Sequence, residues 1–310
     1  MTKLSWLEIP SDNDFGLDNI PFGIFSVEGH KRAATRIGDS LVDLNAIQKA
    51  GLFSDVNLPE DIFNQDTLND FIALGKATTN RTRARIQELF SYDNGELRDN
   101  ESERLNVLWG LYEVEMHMPV KVGDYTDFYS SREHATNVGT MFRDPNNALL
   151  PNWLHIPVGY HGRASSIVVS GTPIHRPKGQ TKADDAEVPT YGPSRLLDFE
   201  LEMAFVVGKG NELGTSISVE DAEDHIFGMV IFNDWSARDI QKWEYVPLGP
   251  FLGKNFGSSI SPWIITMEAL EPFRAASPKQ EPAVLPYLEM KKDHNFDIKL
   301  QAIIETEKGD

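Results

Sequence analysis

Carboxylates alternate with apolar residues in the segment 196–207, LLDFELEMAFVV. Because successive side chains of a β-strand point to opposite faces, Asp198, Glu200 and Glu202 are predicted to share one face of a strand. Neighbouring carboxylates on that face lie roughly 7 Å apart and repel each other when they are buried. A hard divalent cation with oxygen ligands, Mg²⁺ or Ca²⁺, would remove this cost. The alternative is a solvated face on an edge strand.

A fourth carboxylate, Asp234, follows the apolar run 226–232, IFGMVIF, where a predicted strand gives way to a helix. This is a frequent position for a metal ligand, although Asp234 could instead be a helix N-cap. Within the helix Arg238, Gln241 and Lys242 are spaced i, i+3 and i+4. Arg238 and Gln241 are therefore expected to project together towards whatever Asp234 faces.

The segment 124–134, DYTDFYSSREH, concentrates ionisable side chains and two tyrosines. Asp127 and His134 are seven residues apart, which is two helical turns, so both could line one side of a pocket. Histidine is the natural general base near neutral pH. The alternative is a structural histidine.

Two glycine-rich loops, GYHGR at 159–163 and GPFLGKNFGSS at 249–259, carry polar groups. Glycine permits close approach of the backbone to a ligand, and Lys254 between glycines could stabilise an oxyanion. Plain turn chemistry explains the same composition. The segment 208–214 does not have the G-x-G-x-x-G spacing of a dinucleotide site, and no G-x-S-x-G motif supports a serine hydrolase.

The composition restricts the partners and the chemistry. The 310 residues carry 29 Lys and Arg against 47 Asp and Glu, a formal net charge of −18, which argues against nucleic acid and anionic lipid as partners. With no cysteine, disulfides, zinc–thiolate sites and thiol nucleophiles are excluded. No secretory signal is evident, and no apolar run approaches the roughly 20 residues that span a membrane. A cytoplasmic protein is expected.

The elements that must position these residues fall into two predicted domains, 1–118 and 119–310. The first 50 residues are typical of short strands with turns. Helices are predicted over 67–90 and 101–116, the second with Ser102 as N-cap. The first carries an arginine run at 81–85, which is expected to be a solvated face or, alternatively, an inter-subunit contact. Beyond residue 118, dense Gly, Pro and aromatic residues indicate a β-rich domain. The alternation at 295–305 predicts a half-buried strand, which then enters a turn signal at 307–310. We therefore expect a chain truncated at its C-terminus.

Four motifs carry a resemblance to a known family. They are VGDYTDFYSSREHATNVG at 122–139, PNWLHIPVGYHGR at 151–163, LDFELEMAF at 197–205 and NDWSARDIQKWEYVPLGP at 233–250. They resemble the fumarylacetoacetase family, and the resemblance covers essentially the whole chain. It implies a mainly β (α+β) fold, with an N-terminal SH3-like barrel domain followed by a mixed-β roll that is incomplete at the C-terminus. It also implies a homodimer.

The implied reaction is hydrolysis of a carbon–carbon bond in a small 1,3-diketo acid, 4-fumarylacetoacetate, to fumarate and acetoacetate, the last step of tyrosine and phenylalanine degradation. The resemblance implies roles for the residues that match the family's motifs. The implied ligands of Ca²⁺ or Mg²⁺ are Asp127, Glu200, Glu202 and Asp234, with Lys254 and Ser258 beside a further Mg²⁺. His134 is the implied general base, with Arg238, Gln241 and Lys254 as oxyanion stabilisers. The implied substrate contacts are Tyr129, Arg143, Tyr160, Gln241 and Tyr245. Asp198 has no metal role in the family, so the resemblance excludes it from the metal ligands that strand alternation suggests.

The resemblance also places a histidine-orienting glutamate, and further strands of the β-roll, beyond residue 310. The chain as given is therefore expected to have little or no activity and to fold poorly. Two alternatives stay open. One is a related acylpyruvate hydrolase, and the other is a catalytically silent, truncated relative.

Overall fold

Short strands joined by turns and short helices form most of the structure, a computed structural model that describes residues 4–308. The strands are β1 Gly23–Val27, β2 His30–Ile37, β3 Ser40–Asp43, β4 Leu108–Gly110, β5 Glu115–His117, β6 Thr126–Phe128, β7 Gly159–His161, β8 Ile167–Val169, β9 Lys178–Thr181, β10 Thr190–Pro193, β11 Leu197–Asp198, β12 Leu201–Val207, β13 Ile226–Asp234, β14 Ser236–Ala237, β15 Ser258–Ile260, β16 Ile265–Thr266, β17 Arg274–Ala275 and β18 Asn295–Phe296. The helices are α1 Leu44–Lys49, α2 Asn69–Ala73, α3 Lys76–Leu89, α4 Glu101–Val107, α5 Arg132–Phe142, α6 Arg238–Glu244, α7 Leu252–Asn255 and α8 Met267–Leu270.

The chain divides into two compact units. The first contains residues up to 121, 203–230 and 260–272, and the second contains 122–202, 231–259 and the residues from 273 onward. No helix in the described part of the chain is long and apolar enough to cross a membrane.

The first unit is built on a five-stranded antiparallel sheet with the order β4-β3-β2-β1-β5. Its core contains Phe25, Ala34, Leu41 and Trp263, and partly buried residues such as Trp109 pack against them. The ring of Trp263 lies so close to Gly23 that a Cβ there would stand 2.8 Å from it. The predicted short strands of the first 50 residues are therefore present, and glycine is required where one of them meets the tryptophan.

The two helices predicted in this unit are only partly right. The 67–90 helix is divided into α2 and α3 at Gly75, whose φ of 86° is left-handed and favours glycine. The 101–116 helix ends at Val107, because the next residues pair as β4 with β3. Its N-cap is Asn100, whose side chain accepts from the backbone N–H of Glu103, and Ser102 is not the cap. Sheet pairing with residues far along the chain overrides helical spacing here.

The arginine run on α3 is only partly solvated, with the side chain of Arg81 40% exposed and that of Arg85 12% exposed. Arg85 pairs with Glu96 at 2.7 Å, Arg81 pairs with Glu88 at 2.7 Å and also with Asp55, and Arg83 donates to backbone carbonyls. These arginines therefore connect α3 to segments of its own unit.

The second unit contains the two-stranded sheets β6–β7, β9–β10, β11–β14 and β17–β18. Strand β8, most of β15 and the end of β13 also belong to it, whereas most of β12 and all of β16 belong to the first unit, in which β13 pairs with β16. The predicted strand at 295–305 is mostly wrong, because only Asn295–Phe296 pairs, with β17, and the residues after it form no regular structure as far as 308.

Candidate active site

The proposed site residues of the second unit come from separate elements. Asp127 lies on β6, His134 in the first turn of α5, Glu200 between β11 and β12, Glu202 at the start of β12, and Asp234 at the end of β13. The cationic and amide groups come from α6, with Arg238 and Gln241, and from α7, with Lys254, while Ser258 begins β15. Asp127 and His134 do not share a helix, because α5 begins only at Arg132. The prediction that two helical turns separate them is therefore wrong.

Lys254 lies between two buried carboxylates. Its Nζ is 2.6 Å from Glu200 Oε1 and 2.6 Å from Asp234 Oδ2, and its side chain is 5% exposed. Ser258 donates its hydroxyl to Asp234 Oδ1 at 3.0 Å. The N-cap alternative for Asp234 is wrong, because Ala237 occupies the cap position of α6. Asp234 instead faces the cluster.

Glu200 contacts four side chains. Its Oε1 accepts hydrogen bonds from Lys254 and from Ser236 at 2.9 Å and forms an ion pair with Arg238 Nη2 at 2.6 Å, and its Oε2 pairs with His134 Nε2 at 3.1 Å. Three of these contacts are on Oε1 and only one is on Oε2, so Oε2 keeps an acceptor site that could bind a cation. Burial opposes ionisation of Glu200, but the His134 hydrogen bond and the charges of Lys254 and Arg238 outweigh it and hold its pKa below the usual range. The solvated-face alternative is therefore wrong for this residue.

The ionised state of Glu200 fixes the tautomer of a neutral His134. A carboxylate can only accept, so the hydrogen lies on His134 Nε2 and Nδ1 carries the lone pair. The backbone N–H of the same residue donates to the N-cap Ser131 hydroxyl at 3.2 Å, which holds the residue at the start of α5. Nδ1 is thus the nitrogen that can take a proton.

Each of the three guanidinium nitrogens of Arg238 contacts another side chain. Besides Glu200, it donates from Nε to Asp198 Oδ2 at 2.9 Å and from Nη1 to Gln241 Oε1 at 3.1 Å. Because a guanidinium has no acceptor, the amide oxygen of Gln241 must face it, which leaves the amide NH₂ to donate elsewhere. The sequence prediction that Arg238 and Gln241 project together is right. Lys242 lies apart and pairs with Asp184 at 2.8 Å.

The remaining two carboxylates are poorly compensated. Burial, and then the charges of Asp127, Glu200 and Asp234, raise the pKa of Glu202 to about 9. Burial and the charge of Asp234 raise the pKa of Asp127 to about 6, although a hydrogen bond with Tyr160 favours its ionised form. Four carboxylates thus share two cationic side chains, a donor set that fits a hard divalent cation.

One arrangement in the cluster meets the geometry of a metal site directly. A ring nitrogen of His134 and carboxylate oxygens of Glu200 and Glu202 all lie within 4.8 Å of one another, so this group could hold a metal ion. His134 therefore has two possible functions, as a base and as a ligand.

Tyr125 places a phenol among the same carboxylates. Its ring packs on Phe232 at 5.5 Å between centroids and against Gly162, where a Cβ would stand 2.2 Å from the ring. Burial and the charges of Asp234 and Asp127 raise its pKa far above the usual range, so the hydroxyl keeps its proton. Among the residues that the structure describes, this buried hydroxyl has no hydrogen-bond partner.

The residues expected to contact substrate are placed unevenly. Tyr160 pairs with Asp127 across β6 and β7. The guanidinium of Arg143 donates to the Ala148 carbonyl at 2.6 Å, the Tyr245 ring packs on Phe142 at 5.5 Å, and the Tyr129 ring packs on Trp153 at 6.5 Å.

Two protein-family models match this chain. The family described as Fumarylacetoacetase N-terminal matches residues 18–119, and Fumarylacetoacetate (FAA) hydrolase C-terminal matches residues 124–307. The chain belongs to the fumarylacetoacetase family. The fold class expected of this family, mixed α+β with several sheets, is confirmed.

Similar members of the fumarylacetoacetase family include proteins of that name from Homo sapiens, 53% identical, and from Caenorhabditis elegans, 52% identical. Each match covers 98% of this chain and 73% of the relative. Among solved structures, a fumarylacetoacetate hydrolase from the psychrophilic Exiguobacterium antarcticum is similar, with a TM-score of 0.44, 20% identity, and coverage of 81% of this chain and 68% of that one.

Sequence reasoning left three residues of the cluster without a role. Asp198 was set aside as a ligand, but it holds Arg238. Ser236 bonds Glu200, and the sequence analysis assigns it no role although it lies only two residues after Asp234. Tyr125 gave no signal beyond its place beside Asp127, because its burial depends on strand pairing.

Proposed function

We propose that the function encoded by this sequence is hydrolysis of the carbon–carbon bond of 4-fumarylacetoacetate to fumarate and acetoacetate, with little or no turnover expected of the 310 residues by themselves. The observation that carries this proposal is identity of 51–53% over 98% of the chain to proteins named fumarylacetoacetase from animals and Dictyostelium discoideum. The site chemistry supports it, because one buried cluster combines a base, three donors for an oxyanion and a carboxylate cage. The reaction is expected to belong to tyrosine and phenylalanine degradation.

The cofactor in this proposal is Ca²⁺ or Mg²⁺, held by Asp127, Glu200, Glu202 and Asp234. Lys254 and Ser258 are assigned beside a further Mg²⁺. When bound, a divalent cation polarises the oxygens of a diketone as a Lewis acid. The raised pKa values of Glu202 and Asp127 support the assignment, since both carboxylates lack a sufficient cationic partner.

In the proposed mechanism His134 Nδ1 takes a proton from the attacking water, while Glu200 holds the Nε2–H and orients the ring. Arg238, the amide NH₂ of Gln241 and Lys254 donate to the oxygen that becomes negative when water adds to the carbonyl. When this adduct collapses, the carbon–carbon bond breaks, and the departing enolate carbon takes the proton from His134. Tyr129, Arg143, Tyr160 and Tyr245 are assigned to binding the substrate's remaining groups. Gln241 is expected to contribute to both functions.

The physical setting of the enzyme is also proposed. We assign residues 1–118 to an N-terminal SH3-like domain and 119–310 to the catalytic domain. A homodimer in the cytoplasm is expected, without nucleic acid or membrane as partner. The net charge of −18 supports the exclusion of polyanions.

The test of the function is turnover on a panel of 1,3-diketo acids and acylpyruvates, followed by loss of diketone absorbance with Mg²⁺ or Ca²⁺ present. Fumarylacetoacetate is expected to be the preferred substrate. Preference for an acylpyruvate would make the chain a related hydrolase, and no turnover of any substrate would make it a silent relative.

His134→Ala separates the base from the ligand. As a base, His134 is needed for turnover but not for the cation, so the variant is expected to lose roughly 10²-fold or more in kcat while its cation affinity, measured by calorimetry, stays unchanged. The exposed His155→Ala serves as the matched control. Loss of the cation with His134 would instead assign this residue to the ligand set.

A further inference from the structure

The Tyr125 hydroxyl is placed where a ligand of the carboxylate cluster would meet it. Its phenol is buried beside Asp127, Glu202 and Asp234, whose charges act on it. A phenol hydroxyl is a hydrogen-bond donor, and a buried donor without an acceptor is costly. Within the described residues the hydroxyl has no partner, although acidic side chains surround it.

The packing of the ring shows that this position is built rather than incidental. The backbone N–H of Gly162 donates to the Tyr125 carbonyl at 3.0 Å, and the ring occupies the space that any side chain at Gly162 would need. On its other side the ring packs against Phe232. The ring is thereby held in one orientation, so its hydroxyl cannot turn to a partner outside the cluster.

Tyr160 provides a direct contrast. It is the other phenol beside Asp127, and its hydroxyl already bonds that carboxylate. Two tyrosines therefore face one carboxylate cluster, and only one of them is satisfied by the protein. The chemistry that would satisfy the second is an oxygen atom brought in with a ligand.

We propose that Tyr125 is a positioning residue of the cation site. Its hydroxyl donates a hydrogen bond to a water molecule that is bound to a divalent cation, and the surrounding carboxylates hold this cation. The inference rests on the proposed cation site and goes beyond it by naming a residue outside the ligand set. Outer partners of this kind orient the ligands of a metal ion, and their loss commonly weakens metal binding by about 10- to 100-fold.

The experiment compares Tyr125→Phe with wild type and with Tyr160→Phe in the full chain, without substrate. Phenylalanine keeps the ring against Gly162 and Phe232 and removes only the hydroxyl. Calorimetric titration with Mg²⁺ alone and Ca²⁺ alone gives the affinity, and thermal unfolding in a chelator gives the stability of the cation-free protein.

For Tyr125→Phe we expect a dissociation constant at least about tenfold weaker, with a cation-free unfolding midpoint equal to or above that of wild type. The second effect follows because the variant deletes a donor that lacks a partner. Tyr160→Phe is expected to lower the cation-free midpoint, because it breaks an existing bond to Asp127.

Two results would overturn the inference about Tyr125. One is a dissociation constant within twofold of wild type. The other is a lowered cation-free midpoint with unchanged affinity, which would show a purely internal partner for the hydroxyl. If wild type itself binds neither cation, the proposed cation site is wrong, and this failure is distinguishable because it does not depend on the variant.

Discussion

Replacing Glu202 by glutamine should make the cation-free protein more stable above neutral pH. The pKa of this carboxyl is about 9 in the fold, against an ordinary 4.5, because of burial and the neighbouring carboxylates. Between these two values the folded state holds a proton that the unfolded state has released. Stability therefore falls as pH rises, by about 1.4 kcal/mol per pH unit, and levels off above about pH 9. Below the ordinary value both states are protonated and the effect vanishes.

Glutamine has nearly the same volume and no ionisable group, so this slope disappears in Glu202→Gln. At about pH 8.5, four units above the ordinary value, the variant should be more stable than wild type by on the order of 5 kcal/mol. At about pH 5 the two should differ by less than about 1 kcal/mol.

The assay is urea unfolding in a chelator at several values between pH 5 and 9. The exposed Glu187→Gln is the matched control, and it should follow wild type at every pH. With Mg²⁺ or Ca²⁺ added the order reverses, because the cation replaces the proton on Glu202 in wild type and stabilises only the protein that binds it. The reasoning is refuted if the chelated variant is less stable than wild type at pH 8.5, or if both lose stability with the same slope.

Two further substitutions examine the cationic side of the cluster. Lys254→Met removes the ammonium group between Glu200 and Asp234. It should lower the free energy of unfolding in a chelator by about 3–5 kcal/mol and lower kcat by at least about 10²-fold. An unchanged unfolding curve would contradict the ion pairs. Arg238→Lys keeps the charge, but a lysine cannot reach Asp198, Glu200 and Gln241 together. We therefore expect kcat to fall about 10²-fold, with a smaller change in KM. A kcat near that of wild type would show that the planar guanidinium group is not needed.

Local patterns predicted much of the site. Alternation along 196–207 predicted that Glu200 and Glu202 lie together, and oxygens of the two do lie within 4.8 Å of each other. The single strand behind this prediction is wrong, because Leu197–Asp198 pairs with β14 and a separate strand, β12, begins at Leu201. Helical spacing predicted that Arg238 and Gln241 face the same way, which their 3.1 Å contact confirms. These inferences depend only on the geometry of a single strand or helix.

The patterns failed where long-range pairing decides the structure. The 101–116 helix ends early because Trp109 pairs with Leu41, and no periodicity within that segment reports a partner nearly seventy residues away. The same limit applies to Glu200, whose donors Lys254 and His134 come from elements far apart in the chain. The assignment of individual roles to the site residues remains a prediction.

Gly253 has a consequence for which sequences can encode this site. A methyl group there would stand 2.8 Å from the backbone nitrogen of Gln241 and 2.9 Å from its Cα. The main chains of helices α6 and α7 are thus in direct contact beside Gln241 and Lys254. Neither main chain can move apart to admit a side chain without a cost in stability. In a saturation library scored for turnover, glycine should be the only residue recovered at 253. Adaptation of the enzyme to another substrate would then have to proceed through the side chains around these two residues, while the separation of their backbones stays constant.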